Sequence, residues 1–523
     1  MPSQSLSQSA DRDPTVKYFW LLVAAHFVLW TLVCWLTQPN MPLDMVEMLS
    51  WGQQWQLGYH KHPPLPAWIA ATTWWLGGGN EVFMYAVSQV TIVTTFWAAW
   101  QLAREGLSPR AALCSVVLLQ GCYYCTYMIN DINNTIITRP FWALAILFLY
   151  RALTRESSSA RNFNWILTGL VIGLGMISKY YLGVLVLTMM FIPVFLPASR
   201  SSLKTAGPYL LAAVAFLVFT PHLIWMFQND FITIQYVFRR SGEQDAGGGI
   251  LNHLIAPVSF IASQVGAVLP MLVLAWPMLR EKRIRKEPEA TDTDQKSVPF
   301  RKYVTIVFVG PIVVYLLVAL IMGASIRSMW GGPLFSFLGV WLFSFFELPE
   351  DPKQVRKILR DSLIIGFCML VALAARNLIG PSVRGKLSRV HFPGIEAAEA
   401  INERWQSEFG TELNLIGGDM FLTASVSVYS PQQVDIFAEL SEVANPWLSI
   451  EKFESRGGII VWEIADENKN PPLGWMKKFP TAKRRDPIHL ESQAVSGPRD
   501  VTVGVLVVPP SRSGSSQADP DRQ

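Results

Sequence analysis

Apolar runs close to twenty residues long recur along the chain, separated by short polar loops. They fall near 18–37, 82–103, 112–129, 139–154, 163–178, 180–198, 207–226, 255–279, 303–323, 333–347 and 361–379. About twenty helical residues cover the roughly 30 Å of hydrocarbon in a bilayer. The chain therefore reads as a polytopic α-helical membrane protein with eleven spans. The first run exceeds the 7–15-residue core of a secretory signal and lacks an A-x-A site, so it is expected to stay as the first span. Two stretches of the loop at 38–81 are too short to cross. "PLPAWIAATTWWLGGG" follows a Pro-Pro and ends in three glycines, and in 43–57 Met45, Met48, Leu49 and Trp55 recur at roughly helical spacing. Both predict short helices along the bilayer surface or re-entering it.

From about residue 380 the pattern changes. "GIEAAEAINERWQSEFG" has helical periodicity, while "ELNLIGGD", "QVDIFAEL", "GGIIVWEI" and "VTVGVLVV" read as strands. This mixture predicts a soluble α/β domain over 380–509, after a transmembrane domain over 1–379. The polar tail 510–523 is expected to be disordered.

Composition agrees. Of 523 residues, 51% are hydrophobic and 16% charged, against about 25% charged in a soluble globular protein. No basic stripe with interleaved aromatics points to nucleic acid. The placement of Lys and Arg says more than the net charge of +4. One set of alternate loops, including "REKRIRKEPEATDTDQKSVPFRK", carries twenty-one of them; the other carries six, Lys61, Arg139, Lys179, Arg239, Arg240 and Arg327. The positive-inside rule puts the first set in the cytoplasm, with the N-terminus. The 38–81 loop and everything after 380 then face the periplasm. Cys34, Cys114 and Cys368 fall within spans; Cys122 and Cys125 form a C-x-x-C without further ligands or a βαβ context. All five read as small packing residues.

The outer loop gathers Asp44, Glu47, His60, Lys61 and His62 in nineteen positions. Asp44 and Glu47, at i and i+3, would share one face of a helix. Partial desolvation would raise a carboxyl toward a general base's range; equally, Asp44 after Pro42 could cap the helix with Glu47 as its N3 partner. His60 and His62 suggest a metal, but side chains alternating along H-K-H diverge, and the Pro-Pro that follows stiffens a loop rather than a chelate. No metal and no tightly bound cofactor is expected. Other ionisable groups on the same side are Asp131, Arg139, Lys179, His222 and Arg327. Charges at that depth are costly and point to function, though one at a span end also serves as an interfacial anchor. An acid cluster with several cations suits a phosphate-bearing substrate and a reaction that needs a base.

"LDMVEMLSWGQQWQLGYHKHPPLPAWI" resembles the first outer loop of the GT-C membrane glycosyltransferases, the superfamily of protein O-mannosyltransferases and bacterial lipid A aminoarabinose transferases. "SKYYLGVL", "PHLIWMFQNDFITIQYVFRR" and "RVHFPG" are similar to segments of bacterial family 39-like members. The resemblance covers most of 18–430. It implies a GT-C fold and inverting transfer of a sugar from a polyprenyl-phosphate donor to an acceptor at the outer face of the bacterial inner membrane. It also implies that Asp44 is the base, that Lys61 or His62 meets the phosphate and that Asp131 shapes the acceptor side. The chain departs from the pattern in two places. Its acids are separated as Asp44-Met-Val-Glu47 rather than adjacent, and His62 rather than Lys61 precedes Pro-Pro. An envelope glycolipid such as lipid A or lipopolysaccharide core is the expected acceptor, ahead of a protein hydroxyl. The 227–254 loop reads either as a lid over the site or as a connector. A transporter or lipid flippase is the rival reading, but it would keep its charges near the midplane on broken helices, often within an internal repeat.

Overall fold

A computed structural model describes residues 13–242, 252–281, 284–285, 298–322, 327–349, 351–464, 470–472 and 474–511. Among them eight helices are long and apolar enough to cross a membrane: Pro14–Thr37, Glu81–Gly106, Asn134–Thr154, Gly207–Gln228, His253–Glu281, Phe300–Ile321, Ser328–Phe345 and Pro352–Leu378. A ninth arises if Tyr180–Phe195 and Pro197–Lys204, bent by 105°, cross as one broken span. Two of the eleven expected runs take other forms. The 112–129 run is helical only through Pro109–Val117 and then passes into the 3-10 turns Leu118–Gly121 and Tyr123–Cys125. Ser158–Met176 is a continuous 19-residue helix, but it opens on the polar SSARNFN, which shortens its apolar length. The expected 227–254 loop is helical over Ile232–Gly242; 243–251 lie outside the described residues, as does the tail from 512.

The chain forms two compact units. The first is Met1–Cys34, Tyr85–Trp225 and Ile234–Leu373; the second is Trp35–Met84, Met226–Thr233 and Ala374–Gln523. The outer loop thus shares a unit with the C-terminal segment. Four helices matter there: α1 (Leu43–Gly52), α2 (Leu65–Leu76), α3 (Gly394–Phe409) and α4 (Met420–Tyr429).

A five-stranded sheet carries this second unit, in the order β2-β1-β3-β5-β4. β1 (Leu415–Gly418) lies parallel between β2 (Asp435–Ala438) and β3 (Gly458–Glu463), while β5 (Asp500–Val508) runs antiparallel to β3 and to β4 (Lys483–Glu491). The inner strands read as near-continuous apolar runs because both their faces are covered. Leu415, Phe437, Phe453, Ile460, Trp462 and Leu506 form the core beside them. β1 turns into α4 at Asp419, whose carboxylate accepts from Phe421 N at 2.9 Å and Leu422 N at 3.1 Å, an N-cap in the ordinary sense. β4, "KRRDPIHLE", carries no apolar alternation. It is an edge strand whose register breaks between Arg485 and Ile488, around Pro487, where a proline is tolerated and an edge is protected from pairing.

α1 and α2 form where the sequence expects short helices, but α1 does not present a stripe to lipid. Met45 through Gly52 are all buried, because α1 packs on α2 and on α4. Ser427 Oγ donates to Gln53 Oε1 at 3.2 Å and Gln54 Nε2 donates to Asp435 Oδ1 at 3.1 Å. Gly52 makes the α1–α2 approach possible, since a Cβ there would lie 2.2 Å from Ala67 O and 2.7 Å from Ala71 Cβ. Gly52→Val is expected to destabilise this unit by about 1–3 kcal/mol through overpacking. A thermal melt unchanged from wild type would contradict that packing.

The "RVHFPG" segment fastens the loop to the C-terminal region. Asn40 N donates to Val390 O at 3.0 Å, and Asn40 Nδ2 donates to Arg389 O at 3.3 Å. His391 is buried, with Nε2 2.7 Å from Asn377 O and Nδ1 2.8 Å from Ser388 Oγ. A carbonyl can only accept, so Nε2 carries the proton.

Candidate active site

In the second unit the outer-loop residues gather around Trp51, which is fully buried. Tyr59 and His62 exchange backbone hydrogen bonds at 3.0 and 3.1 Å. This closes a tight turn with His60 and Lys61 at its corner. Tyr59 stacks on Trp51 at 5.3 Å between centroids and donates through Oη to Trp51 O at 2.8 Å. His60 meets the indole edge-on at 5.7 Å, and His62 is tilted at 6.3 Å. Lys61 Nζ lies 5.7 Å from the same ring and 2.6 Å from Glu47 Oε1. The indole thus supports a turn whose charged tip is held by an acid from α1, with a cation–π contribution of about 0.5–2 kcal/mol.

The capping-box alternative is not what the structure adopts. Pro42 occupies the N-cap with no side-chain cap, and Asp44 stands in the first helical turn. There its carboxylate complements the helix dipole. Glu47 pairs instead with Lys61. Its side chain is 7% exposed and that of Lys61 26%, while Asp44 is half-buried. Burial pushes the Glu47 carboxyl up from its ordinary value of 4.5; Lys61 opposes this, Asp44 adds to it, and Arg389 also pulls it down. An acid whose pKa is raised on folding favours the folded form below its unfolded pKa, and that contribution is lost as pH rises through the raised value. The melting temperature of wild type relative to Glu47→Gln is therefore expected to fall as pH rises from 4 to 8. A gap independent of pH would contradict the buried carboxyl.

Two further groups belong to this cluster and were not singled out in the sequence. Arg389 acts electrostatically on Glu47, with its guanidinium carbon 5.4 Å from the Phe421 ring. Glu439, in the positive-φ pair Glu439–Leu440 after β2, is pushed up by burial and by Asp419, and interacts with Lys61. The signal for Arg389 was its place in "RVHFPG"; nothing local marks Glu439.

The remaining candidates lie in the first unit. Asp131 precedes the Asn134–Thr154 helix, which Asn133 caps by accepting from Thr135 N and Ile136 N, both at 3.0 Å. Ser88 Oγ donates to Asp131 O. Lys179 Nζ donates to Thr135 Oγ1 at 2.6 Å and lies 5.1 Å from the Trp330 ring. Arg139, one turn beyond Thr135 and 2% exposed, donates to Tyr124 O; a Cβ at Gly332 would lie 2.7 Å from its Nη2. Arg327 is the residue preceding the Ser328–Gly331 turn. Asp131, Lys179 and Arg139 thus cluster at the start of one helix, with Lys179 and Arg139 reaching the 330–332 turn. His222 meets the residue after Lys179, its Nε2 2.6 Å from Tyr180 Oη and its ring stacked at 5.9 Å on Trp225. Among the described residues, no three His, Cys, Asp or Glu side chains gather as a metal site.

The comparisons with known proteins follow the same lines. Residues 61–225 match the family described as dolichyl-phosphate-mannose-protein mannosyltransferase. The lipopolysaccharide core galacturonosyltransferase RgtB of Rhizobium johnstonii is 24% identical over 361 residues, 68% of this chain and 70% of that one. The lipid A galacturonosyltransferase RgtD of the same organism is 24% identical over 279 residues, 51% and 55% of the two chains. The crystal structure of ArnT from Cupriavidus metallidurans bound to undecaprenyl phosphate superposes with a TM-score of 0.64, covering 94% of this chain and 98% of that one at 12% identity. The chain shares the fold of that ArnT structure. Its described residues combine eight helices long and apolar enough to cross a membrane with a C-terminal, sheet-containing region, as the change of pattern near residue 380 predicted.

Proposed function

We propose that the protein transfers a sugar from a polyprenyl-phosphate donor to lipid A or lipopolysaccharide core on the periplasmic face of the inner membrane. The division of labour between the two acids of α1 carries this reading. Glu47 is buried and tied to Lys61, whereas Asp44 keeps solvent exposure on the first turn. Asp44 is the base. It takes the proton of an acceptor hydroxyl as that oxygen attacks the anomeric carbon. The bond from the anomeric carbon to the phosphate oxygen breaks, and the polyprenyl phosphate leaves with the electron pair. A single displacement inverts the anomeric configuration. Glu47 is a positioning residue: it fixes Lys61 over Trp51, and the ammonium's positive charge stabilises the leaving phosphate. His60 and His62 shape that turn. Asp131, Lys179, Arg327 and His222 belong to the other unit, where His222 steadies Tyr180.

The relatives named for lipopolysaccharide core and lipid A support the acceptor, and the ArnT complex with undecaprenyl phosphate supports the donor. The distribution of Lys and Arg supports the face. Purified protein supplied with undecaprenyl-phosphate-linked sugars and lipid A or core oligosaccharide is expected to form a product of inverted anomeric configuration by NMR. A product of retained configuration, or none with any donor, would contradict the mechanism.

A further inference from the structure

A groove of about 790 Å³ opens in the second unit between α1, α2 and the end of α4, and no residue of the Tyr59–His62 turn lines it. Its walls carry three indoles, Trp55, Trp74 and Trp75, together with the amides of Gln53, Gln432 and Gln433. None of the thirteen lining residues is charged. Trp55 is 57% exposed and Trp75 78% exposed. Three indoles on one rim, two of them exposed, offer a ligand broad apolar faces to stack on. Trp55 is moreover held at φ 47°, a left-handed backbone that a bulky side chain rarely adopts and that costs of order 1–3 kcal/mol. The amides are set in place. Gln53 accepts from Ser427 Oγ at 3.2 Å, and Gln432 Nε2 donates to Asn402 Oδ1 at 2.5 Å and to Leu413 O at 3.0 Å.

We propose that this groove is a saccharide-binding site that holds a neutral sugar segment of the glycolipid acceptor. A pyranose ring has an apolar face of C–H groups that lies flat on an indole, and an equatorial rim of hydroxyls that pairs with amides. The groove supplies both, in a chamber large enough for two or three sugar rings. The absence of charge from its lining decides against a phosphate headgroup, which would draw Lys or Arg. The identity of the ligand as acceptor rests on the transferase reading above; that the site takes sugar does not.

The test uses the full-length protein in phospholipid nanodiscs, with W55A and W75A, whose exposed side chains leave the core intact. Delipidated core oligosaccharide from the source envelope is the probe, followed by saturation-transfer NMR. The wild type is expected to give sugar signals and each variant to weaken them. In the transfer assay each variant is expected to raise the acceptor KM by roughly 3–10-fold, the worth of one aromatic contact, with kcat and the donor KM unchanged. No oligosaccharide signal from the wild type would overturn the proposal. So would signals and KM indifferent to both indoles, or variants that lose only stability in the nanodisc, which would make the indoles bilayer anchors. Binding of oligosaccharide by a protein that transfers nothing would defeat the transferase reading and leave the groove standing.

Discussion

Asp44→Asn is expected to lower the transfer rate by roughly 10²–10⁴-fold, the usual contribution of a general base, while leaving the fold intact. The isosteric amide keeps the shape of the first turn of α1, whose N-cap position belongs to Pro42. Its melting temperature should therefore stay close to that of wild type, apart from the loss of a helix-dipole contribution of about 0.3–1 kcal/mol. The affinity for donor should change little, because the base acts on the acceptor hydroxyl. Full turnover in Asp44→Asn would remove Asp44 from the mechanism. A proportional loss of rate and stability would make it structural.

Lys61→Met is expected to damage both stability and rate, and the two effects separate in a double variant. Removing Lys61 leaves the Glu47 carboxylate buried without its partner at 2.6 Å. Breaking a fully buried pair costs about 3–5 kcal/mol. A quarter of the Lys61 side chain remains in water, and Glu47 can escape by taking up a proton, so about 2–3 kcal/mol is expected here. Transfer should fall by roughly 10²–10³-fold if the ammonium meets the leaving phosphate. Adding Glu47→Gln to Lys61→Met removes the stranded charge and should restore most of the melting temperature, since the residues are in contact and not additive. The rate should stay low. Recovery of rate together with stability would show that Lys61 serves the fold alone.

The sequence made the spans, the loop motif and four of the five strands legible, and physical reasons account for the rest. Hydrophobic length identifies helices such as Phe300–Met322, whose apolar run is unbroken. It overcounts where a run is interrupted by turns, as after Val117. β4 escaped because "KRRDPIHLE" has the composition of a loop; its pairing with β5 supplies what its own side chains do not. The burial of α1 could not be read locally. Its partners Ser427 and Asp435 lie nearly 400 residues away, and an amphipathic stretch looks alike whether it meets lipid or protein. The same holds for Glu47. At i+3 from Asp44 it fits a capping box, and only the Tyr59–His62 turn delivers Lys61 to it. Glu439 joins the cluster through tertiary structure alone, whereas Arg389 had a signal in its place within "RVHFPG". Arg139 stood out as a charge near a span end, but its burial against Tyr124 and Gly332 needed the fold.

The most direct measurement is mass spectrometry of lipid A and core oligosaccharide from cells carrying the wild-type gene, a deletion, or Asp44→Asn. Both mutants are expected to lack one sugar unit that the wild type adds and to accumulate its polyprenyl-phosphate donor. Lipid A and core identical in all three strains, with no donor accumulating, would contradict the assignment of this protein as a periplasmic glycolipid glycosyltransferase.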